Sequence, residues 1–270
     1  MGRIDEAFVR RRAEGKKALV IYLCAGDPDE AETVELACAC IEAGADVLEL
    51  GAPFSDPTAD GPAIARASQR ALANGGGLDA TLRIARAVRA RHPKAAIVLF
   101  GYYNPLFVRG EARAVALAAE NGVDAFLVVD LPIDAADGLR EAAHSHGLGV
   151  VPLVAPTSRP ERLVQIARAA ESSLVPFVYT VSMMGVTGGA GASEVLVEAG
   201  RQAARVRDAT KRPAVVGFGI DSPERAALAA RDSDGVVVGS AVVRRIEDEK
   251  TPAARLSAVR HLVESLRAAV

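Results

Sequence analysis

Short apolar runs alternate with segments of helical periodicity along almost the whole chain. The run at 18–25 (ALVIYLCA) is typical of a buried strand, and 30–43 follows with helical spacing until Gly44. The same β–α unit then recurs. Further strands are predicted at 47–50, 96–100, 125–129, 149–154, 176–181, 214–218 and 235–238. The helices are predicted at 4–14, 63–73, 78–91, 108–121, 135–146, 159–170, 192–207, 223–231, 241–246 and 251–269.

Eight strands, each followed by helix, predict a (β/α)8 TIM barrel with an extra N-terminal helix. We expect a single domain over residues 1–270, because no linker or low-complexity segment divides the pattern. An open, doubly wound α/β sheet is the alternative that this pattern leaves.

Composition narrows the class of protein. A chain that is 50% hydrophobic and 24% charged is ordinary for a globular protein, and a net charge of −2 gives no reason to expect nucleic acid or an anionic membrane as partner. The N-terminus lacks the apolar core of a signal peptide, and no stretch reaches the length of a membrane span. These features predict a cytoplasmic protein.

Several chemistries lack suitable residues in the predicted barrel. The four histidines fall late in helices or just beyond them, so we expect neither a histidine base nor a histidine metal cluster. Four of the five lysines precede strands, and Lys250 precedes the last helix, so no lysine is placed for a Schiff base. Cys24, Cys38 and Cys40 cannot form a disulfide framework and are expected to be buried thiols, with metal binding as the minor alternative.

The candidate chemistry is concentrated at 47–67 (VLELGAPFSDPTADGPAIARA). Glu49 interrupts a buried apolar strand, where a carboxylate costs roughly several kcal/mol unless it is paired or neutralised. Asp60 lies in the following loop, which is rich in glycine and proline. The two acids are therefore predicted to meet at the carboxyl end of one strand. In the alternative interpretation, Glu49 ends an edge strand and Asp60 caps the helix that begins near Pro62.

Glycine-rich turns follow the last three predicted strands, at 185–189, 217–222 and 239–241. Glycine lets backbone N–H groups approach an anion, and barrels often hold phosphate after strands seven and eight. Together these turns predict a phosphate site that uses backbone donors and Ser240. A single such turn is weak evidence, because tight turns use glycine in any case. The barrel also places these aromatic and polar residues at the same end: Tyr22, Tyr102, Tyr103, Asn104, Asp130, Tyr179, Thr187 and Phe218.

Several motifs together resemble the tryptophan synthase alpha chain family. They are LELGAPFSDPTADGP, YYNP at 102–105, DLP at 130–132, GVTG at 185–188, GFGI at 217–220 and GS at 239–240. The likeness covers nearly the whole chain. It implies a retro-aldol lyase that cleaves indole-3-glycerol phosphate to indole and glyceraldehyde 3-phosphate, and that passes the indole to a beta chain.

The resemblance also assigns roles to individual residues. It implies that Glu49 is the main acid/base, that Asp60 is the second catalytic carboxylate and that Tyr179 supports them. Thr187 would close over the site on a loop and orient Asp60. The positions implied for phosphate are Gly188, Gly219, Gly239 and Ser240. The positions implied for the apolar walls around the indole ring are Tyr22, Leu99, Leu127 and Phe218.

The family's partner and cofactor are expectations of the same kind. The resemblance implies an alpha2beta2 assembly through the loop with Asp56 and Pro57 and the region of Asn104 and Pro105. No cofactor is expected in this chain, and pyridoxal phosphate is expected only in the beta partner. Met183-Met184 stand where some members have a basic residue, so a loop-closing ion pair from that position is absent. A free-standing indole-releasing lyase and a phosphate-binding regulatory subunit with a decayed site remain the alternatives.

Overall fold

The computed structural model describes residues 2–171, 175–182, 192–217 and 219–270. In these ranges a parallel sheet is surrounded by helices. The strands are β1 Ala18–Cys24, β2 Val47–Gly51, β3 Ala96–Gly101, β4 Ala125–Val128, β5 Gly149–Val150, β6 Leu153–Val154, β7 Val178–Val181, β8 Ala214–Gly217 and β9 Gly235–Val238.

The helices follow the strands in the predicted order, and a short 3-10 helix at Ile133–Ala135 lies between two of them. The helices are α1 Arg3–Ala13, α2 Glu30–Glu42, α3 Pro62–Ala73, α4 Leu78–Arg91, α5 Tyr103–Arg109, α6 Glu111–Glu120, α7 Asp137–Ser145, α8 Pro160–Glu171, α9 Ala192–Thr210, α10 Pro223–Ala230, α11 Ser240–Asp248 and α12 Pro252–Ala269. None of the described helices is long and apolar enough to cross a membrane.

The sheet closes on itself through the segment that contains β5 and β6. The strand order is β5-β4-β3-β2-β1-β9-β8-β7-β6, so the two edges of the sheet belong to two pieces of one predicted strand. Val151 and Pro152 separate these pieces. The Val151 N–H donates to Phe126 O on one side (2.8 Å), and Pro152 O accepts from the Tyr179 N–H on the other (3.0 Å). The predicted TIM barrel is therefore confirmed, with its fifth strand divided at a proline that has no N–H to donate.

Alternate residues of each strand face two different layers. Leu19, Ile21 and Leu23 pack against the helices, whereas Val20 and Tyr22 belong to the cluster that fills the barrel. Side chains alternate across a strand, and a parallel sheet covered by helices buries both of its faces. This burial explains why the strands read as nearly continuous apolar runs.

The amino end of the barrel is closed by α1. Ile4, Ala7 and Phe8 are buried in the inner cluster, and the Phe8 ring lies 5.5 Å from the ring of Phe177. The extra N-terminal helix predicted from the sequence thus covers the end of the barrel opposite to the candidate site.

One predicted helix, 108–121, is wrong in its extent. The structure has two helices there, α5 and α6, which meet at Gly110 with a φ of 85°. Only glycine adopts this conformation without strain, so a continuous helix cannot pass through that position. The start of α5 at Tyr103 was not predicted, because Pro105 in the YYNP motif is a strong turn signal when no tertiary contact is known.

Candidate active site

Glu49 faces the interior of the barrel. It lies on β2 between Leu48 and Leu50, which pack in the outer layer, and its partner in the register of β1 is Tyr22 of the inner cluster. The residue is 1% exposed. Because β2 pairs with β1 on one side and β3 on the other, Glu49 does not lie on an edge strand. This inward orientation follows from the alternation of side chains along the strand.

Burial without a compensating partner determines the electrostatics of Glu49. Its Oε1 atom has no hydrogen-bond partner in the part of the chain that the structure describes. Burial raises the pKa of this carboxyl to about 8, because the charged form is the one that loses most by leaving water. Glu49 holds a proton at neutral pH that it can give away.

Asp60 lies in the loop above β2 and is half-buried. Burial raises its pKa to about 6, and a hydrogen bond from Tyr102 acts in the opposite direction. The Tyr102 hydroxyl also accepts from the Ala59 N–H at 2.9 Å, and its ring stacks on Phe54 with 5.2 Å between centroids. Tyr102 thereby holds the loop that contains Asp60 to the end of β3. The helix that follows is capped by Gly61, so Asp60 does not serve as its cap.

Sequence reasoning placed Tyr102 at the correct end of the barrel but gave it no role. Its position directly after β3 was the available signal. The contact with Asp60 joins residues 42 positions apart in sequence, and no local pattern reports such a contact.

Two tyrosines from different strands extend over glycines at the ends of neighbouring strands. A Cβ atom at Gly217 would lie 1.9 Å from the Tyr179 hydroxyl, and one at Gly51 would lie 2.3 Å from the Tyr22 hydroxyl. Both glycines are therefore needed to make room for a ring. Tyr179 and Tyr22 are 5% and 4% exposed. In both, burial and the nearby charge of Glu49 raise the pKa of the phenol, so both stay protonated.

The described part of the predicted phosphate site lies at the ends of β8 and β9. Gly219 has a φ of 75°, and Gly239 precedes α11, whose first residue is Ser240. No side chain caps α11, so no side-chain oxygen competes for its first-turn N–H groups, where the helix dipole favours an anion. Gly188 lies outside the described residues.

The predicted apolar walls are only partly brought together. Tyr22 and Leu127 belong to the inner cluster. Leu99 does not, because it pairs in register with Leu50 and Phe126 and packs in the outer layer. The structure corrects that prediction, since strand alternation turns the next residue, Phe100, into the barrel instead.

Some of the other predicted site residues fall outside the part of the chain that the structure describes. Phe218 and Thr187 fall outside the described residues, as do Met183 and Met184. The three cysteines are buried free thiols, and in the described ranges no group of three metal-ligating side chains is present.

These observations define a class of protein, a (β/α)8-barrel enzyme with two carboxyl groups of raised pKa at the carboxyl ends of its strands. Comparison with known proteins gives the family. The sequence profile described as tryptophan synthase alpha chain matches residues 8–270. The chain belongs to the tryptophan synthase alpha chain family.

Curated relatives and solved structures agree with the family. The tryptophan synthase alpha chain of Geobacter sulfurreducens is 46% identical over 247 residues, which covers 92% of this chain and 91% of that one. The one from Chloroflexus aurantiacus is 43% identical and covers 100% of this chain and 99% of its own. The crystal structure of the alpha subunit from Legionella pneumophila matches with a TM-score of 0.88 and 38% identity, covering 100% of this chain and 98% of that one.

The family fixes the type of reaction. The chain is a carbon–carbon lyase of tryptophan biosynthesis, and it cleaves indole-3-glycerol phosphate to indole and glyceraldehyde 3-phosphate. A beta chain is the implied partner for the indole.

Proposed function

We propose that Glu49 and Asp60 divide the proton and charge chemistry of this cleavage within one lyase domain, residues 1–270. The observation that carries the proposal is the pair of raised pKa values, about 8 for Glu49 and about 6 for Asp60. Between these values Glu49 is protonated and Asp60 is ionised. Two carboxyl groups with separated pKa values are typical of an acid/base site in which each has its own role.

The first step is transfer of the Glu49 proton to C3 of the indole ring. Protonation leaves the ring nitrogen electron-poor, and the Asp60 carboxylate beside the N–H stabilises the positive charge that develops there. A fixed charge of this kind contributes roughly a few kcal/mol to transition-state stabilisation. The Tyr102 hydroxyl, which donates to Asp60, holds that carboxylate in place.

The second step returns the proton to Glu49. The Glu49 carboxylate takes the proton from the hydroxyl on the side-chain carbon bonded to C3. The oxygen electrons form the aldehyde C=O, and the C–C bond breaks with its electron pair going back to the ring. Indole and glyceraldehyde 3-phosphate are the products, and Glu49 is again protonated. One buried carboxyl serves both transfers because the two protons lie on adjacent atoms.

The remaining roles concern substrate binding and come from the resemblance. Tyr179 supports Glu49, which is close enough for its charge to raise the pKa of that phenol. The phosphate lies against Gly188, Gly219, Gly239 and Ser240. The indole ring lies between Tyr22, Leu127 and Phe218, with Phe100 in the place first expected for Leu99, and Thr187 orients Asp60.

Indole release from indole-3-glycerol phosphate tests the proposal directly. We expect Glu49→Gln to fold normally and to lose at least about a thousandfold in kcat, within the range for removal of a general acid/base. Glu141→Gln, on the exposed face of α7, is the matched control and should turn over normally. Near-normal turnover by Glu49→Gln would reject Glu49 as the acid/base. No indole release by the unaltered chain would favour a phosphate-binding regulatory subunit.

The pH dependence of kcat/KM tests the division of roles. Activity requires ionised Asp60 and protonated Glu49, so we expect a bell-shaped profile with limbs at about 6 and about 8. Activity falls below the first value as Asp60 gains a proton and above the second as Glu49 loses one. The profile is measured at constant ionic strength. A kcat/KM that keeps rising through pH 8 would mean that Glu49 must be ionised, which reverses the assignment of acid and base.

The finer partner assignment is also a proposal. We expect an alpha2beta2 assembly with a pyridoxal phosphate-containing beta chain, no cofactor in this chain, and a cytoplasmic location. The contact would use the Asp56-Pro57 loop and the Asn104-Pro105 region. The latter begins α5, which carries Phe107 and Val108 with 64% and 76% of their surface exposed. Large exposed apolar residues next to a predicted contact support it.

Turnover with and without a beta chain tests this assembly. We expect a marked rise in indole formation when the partner is added, because contact with the Asp56-Pro57 loop, which leads to Asp60, orders the site. Phe107→Ser should weaken the rise without changing turnover of the chain alone. Identical turnover with and without the partner would favour a free-standing indole-releasing lyase.

A further inference from the structure

Tyr22 spans the distance between the carboxylate strand and the phosphate turn. It lies on β1, which pairs with β2 on one side and β9 on the other. Its Cβ and Cδ1 atoms lie 3.4 Å from the position of a Cβ at Gly239, whereas its hydroxyl lies 2.3 Å from the position of a Cβ at Gly51. The ring thus starts beside the phosphate turn, and its hydroxyl ends beside the strand of Glu49.

A role for Tyr22 in the apolar wall around the indole ring does not explain its hydroxyl. The ring packs edge-to-face on Phe100, with centroids 5.2 Å apart and planes at 79°, a contact that a phenylalanine ring would make equally well. The hydroxyl instead extends over Gly51, the last residue of β2, and a side chain there would displace it. Its position at the catalytic end of the ring points to substrate as a partner.

The electrostatic setting makes the phenol a donor. Burial and the charges of Asp60 and Glu49 both keep it protonated. A neutral O–H that feels the charges of these two carboxyl groups can give a hydrogen bond to an alcohol without competing for the proton that moves in catalysis.

The substrate has a matching group. Its three-carbon chain joins the indole ring to the phosphate and carries two hydroxyls. The hydroxyl next to the ring loses its proton in the cleavage, and the one on the middle carbon takes no part in bond breaking. A chain that runs from Glu49 on β2 to Gly239 after β9 must cross β1, and Tyr22 is the inward residue of β1 at that level.

We propose that the Tyr22 hydroxyl donates a hydrogen bond to the middle-carbon hydroxyl of indole-3-glycerol phosphate. Tyr22 is then a specificity-determining residue that recognises the glycerol chain, beyond the apolar wall that the family resemblance implies. The inference rests on the proposed function, because it uses the substrate orientation set by Glu49 and the phosphate turn.

A substrate–variant cycle tests this contact. The unaltered chain and Tyr22→Phe are each assayed with indole-3-glycerol phosphate and with its analogue that lacks the middle hydroxyl. We expect Tyr22→Phe to lower kcat/KM about tenfold on the natural substrate, the effect of one neutral hydrogen bond, and less than about twofold on the deoxy analogue. The ratio of the two substrates is measured on one preparation, so partial misfolding of a variant cancels.

Tyr102→Phe is the matched control because it also removes one phenol hydroxyl from the site. It acts through Asp60 on the indole ring, so both substrates should lose activity to the same degree. If Tyr22→Phe loses activity equally on both substrates, or on neither, the inference is wrong. As long as the unaltered chain still releases indole, that result leaves the proposed function standing. The inference would also be wrong if Tyr102→Phe showed as large a difference between the two substrates as Tyr22→Phe does. Failure of the unaltered chain to cleave either substrate would overturn the proposed function as well.

Discussion

The two ends of the barrel treat buried acids in opposite ways. At the amino end, Asp46 directly precedes β2, and its side chain is fully buried. It accepts hydrogen bonds from Arg10 (3.0 Å), Arg11 (2.6 Å), Arg267 (2.8 Å) and the Leu19 N–H (3.0 Å). Three residues further on, within β2 itself, Glu49 is as deeply buried and has an Oε1 atom with no partner among the described residues.

Asp124 and Asp234 repeat the arrangement of Asp46 before β4 and β9. Asp124 pairs with Arg3 and Arg89 at 2.8 Å, and Asp234 lies 3.6 Å from Arg12 and Arg207. Each also accepts from a strand N–H group. Acids that precede strands are thus tied to arginines from the helices.

The difference separates stability from function. An acid surrounded by guanidinium groups forms charge-assisted hydrogen bonds that fasten α1 and α12 to the barrel. An acid buried without such a partner costs stability and keeps its proton near neutral pH. Burial alone therefore does not identify a catalytic carboxyl. We propose Glu49 as one because no compensating cation lies next to it in the described structure.

The largest expected effect is on the amino end. Asp46→Ala leaves Arg11 and Arg267 around an apolar gap, so we expect the free energy of unfolding to fall by about 4 kcal/mol, as for other broken buried ion pairs. Urea denaturation measures it, with Asp137→Ala, whose side chain is 77% exposed, as the control. Indole release per folded molecule should be unchanged. A loss below about 1 kcal/mol would mean that the arginines find other partners.

The reverse effect is expected at Glu49, and it depends on pH. A carboxyl whose pKa is raised by folding binds its proton more tightly in the native state, so its contribution to stability is full below the unfolded pKa and is lost as pH rises towards about 8. Glu49→Gln removes this loss. The variant should become more stable than the unaltered chain by up to a few kcal/mol between about pH 4.5 and 8, since one pKa unit is about 1.4 kcal/mol.

Denaturation at a series of pH values measures this difference between the two proteins. Asp60, whose pKa is also raised, is present in both and cancels to first order. A stability difference that is flat across this range would show that Glu49 has an unrecognised compensating partner, and the contrast between the two ends of the barrel would fail.

A smaller effect is expected for the residue that orients Asp60. Tyr102→Phe removes the hydrogen bond that lowers the pKa of Asp60, so the acidic limb of the kcat/KM profile should move to higher pH by less than about one unit. The maximum of kcat/KM should fall about tenfold, the value of one hydrogen bond to a charged group. An unchanged limb with lower activity would place the role of Tyr102 in loop packing alone.

The smallest effect sharpens the comparison within the arginine cluster. The Arg10 side chain is 54% exposed, whereas that of Arg267 is 14% exposed. Arg10→Ala should cost less than about 1 kcal/mol of unfolding free energy, because solvent screens an exposed ion pair. Arg267→Ala should cost several times more, since its guanidinium also binds the carbonyl oxygens of Lys17 and Val270. Equal costs from thermal unfolding would show that burial does not rank these pairs.

Local pattern was sufficient for the order of the elements and for the candidate acids. Strand and helix periods predicted the barrel, and one carboxylate in an apolar run predicted Glu49, because both are properties of neighbours in sequence. Local pattern was insufficient where the structure of a segment depended on contacts with residues distant in sequence. The break of the predicted helix at Gly110 is a local event, yet α5 continues through a motif with proline because Tyr103 N–H binds Asp130 and its hydroxyl binds Glu111.

The sequence by itself determined which residue types occur at each strand end, and with them the family and its reaction. The tertiary structure decided which of those residues face one another. It turned Phe100 inward and Leu99 outward, attached Tyr102 to Asp60, and placed the Tyr22 hydroxyl over Gly51. The physical reason is that strand register and barrel closure are set by pairing between distant segments, and a shift of one residue in register reverses every side chain.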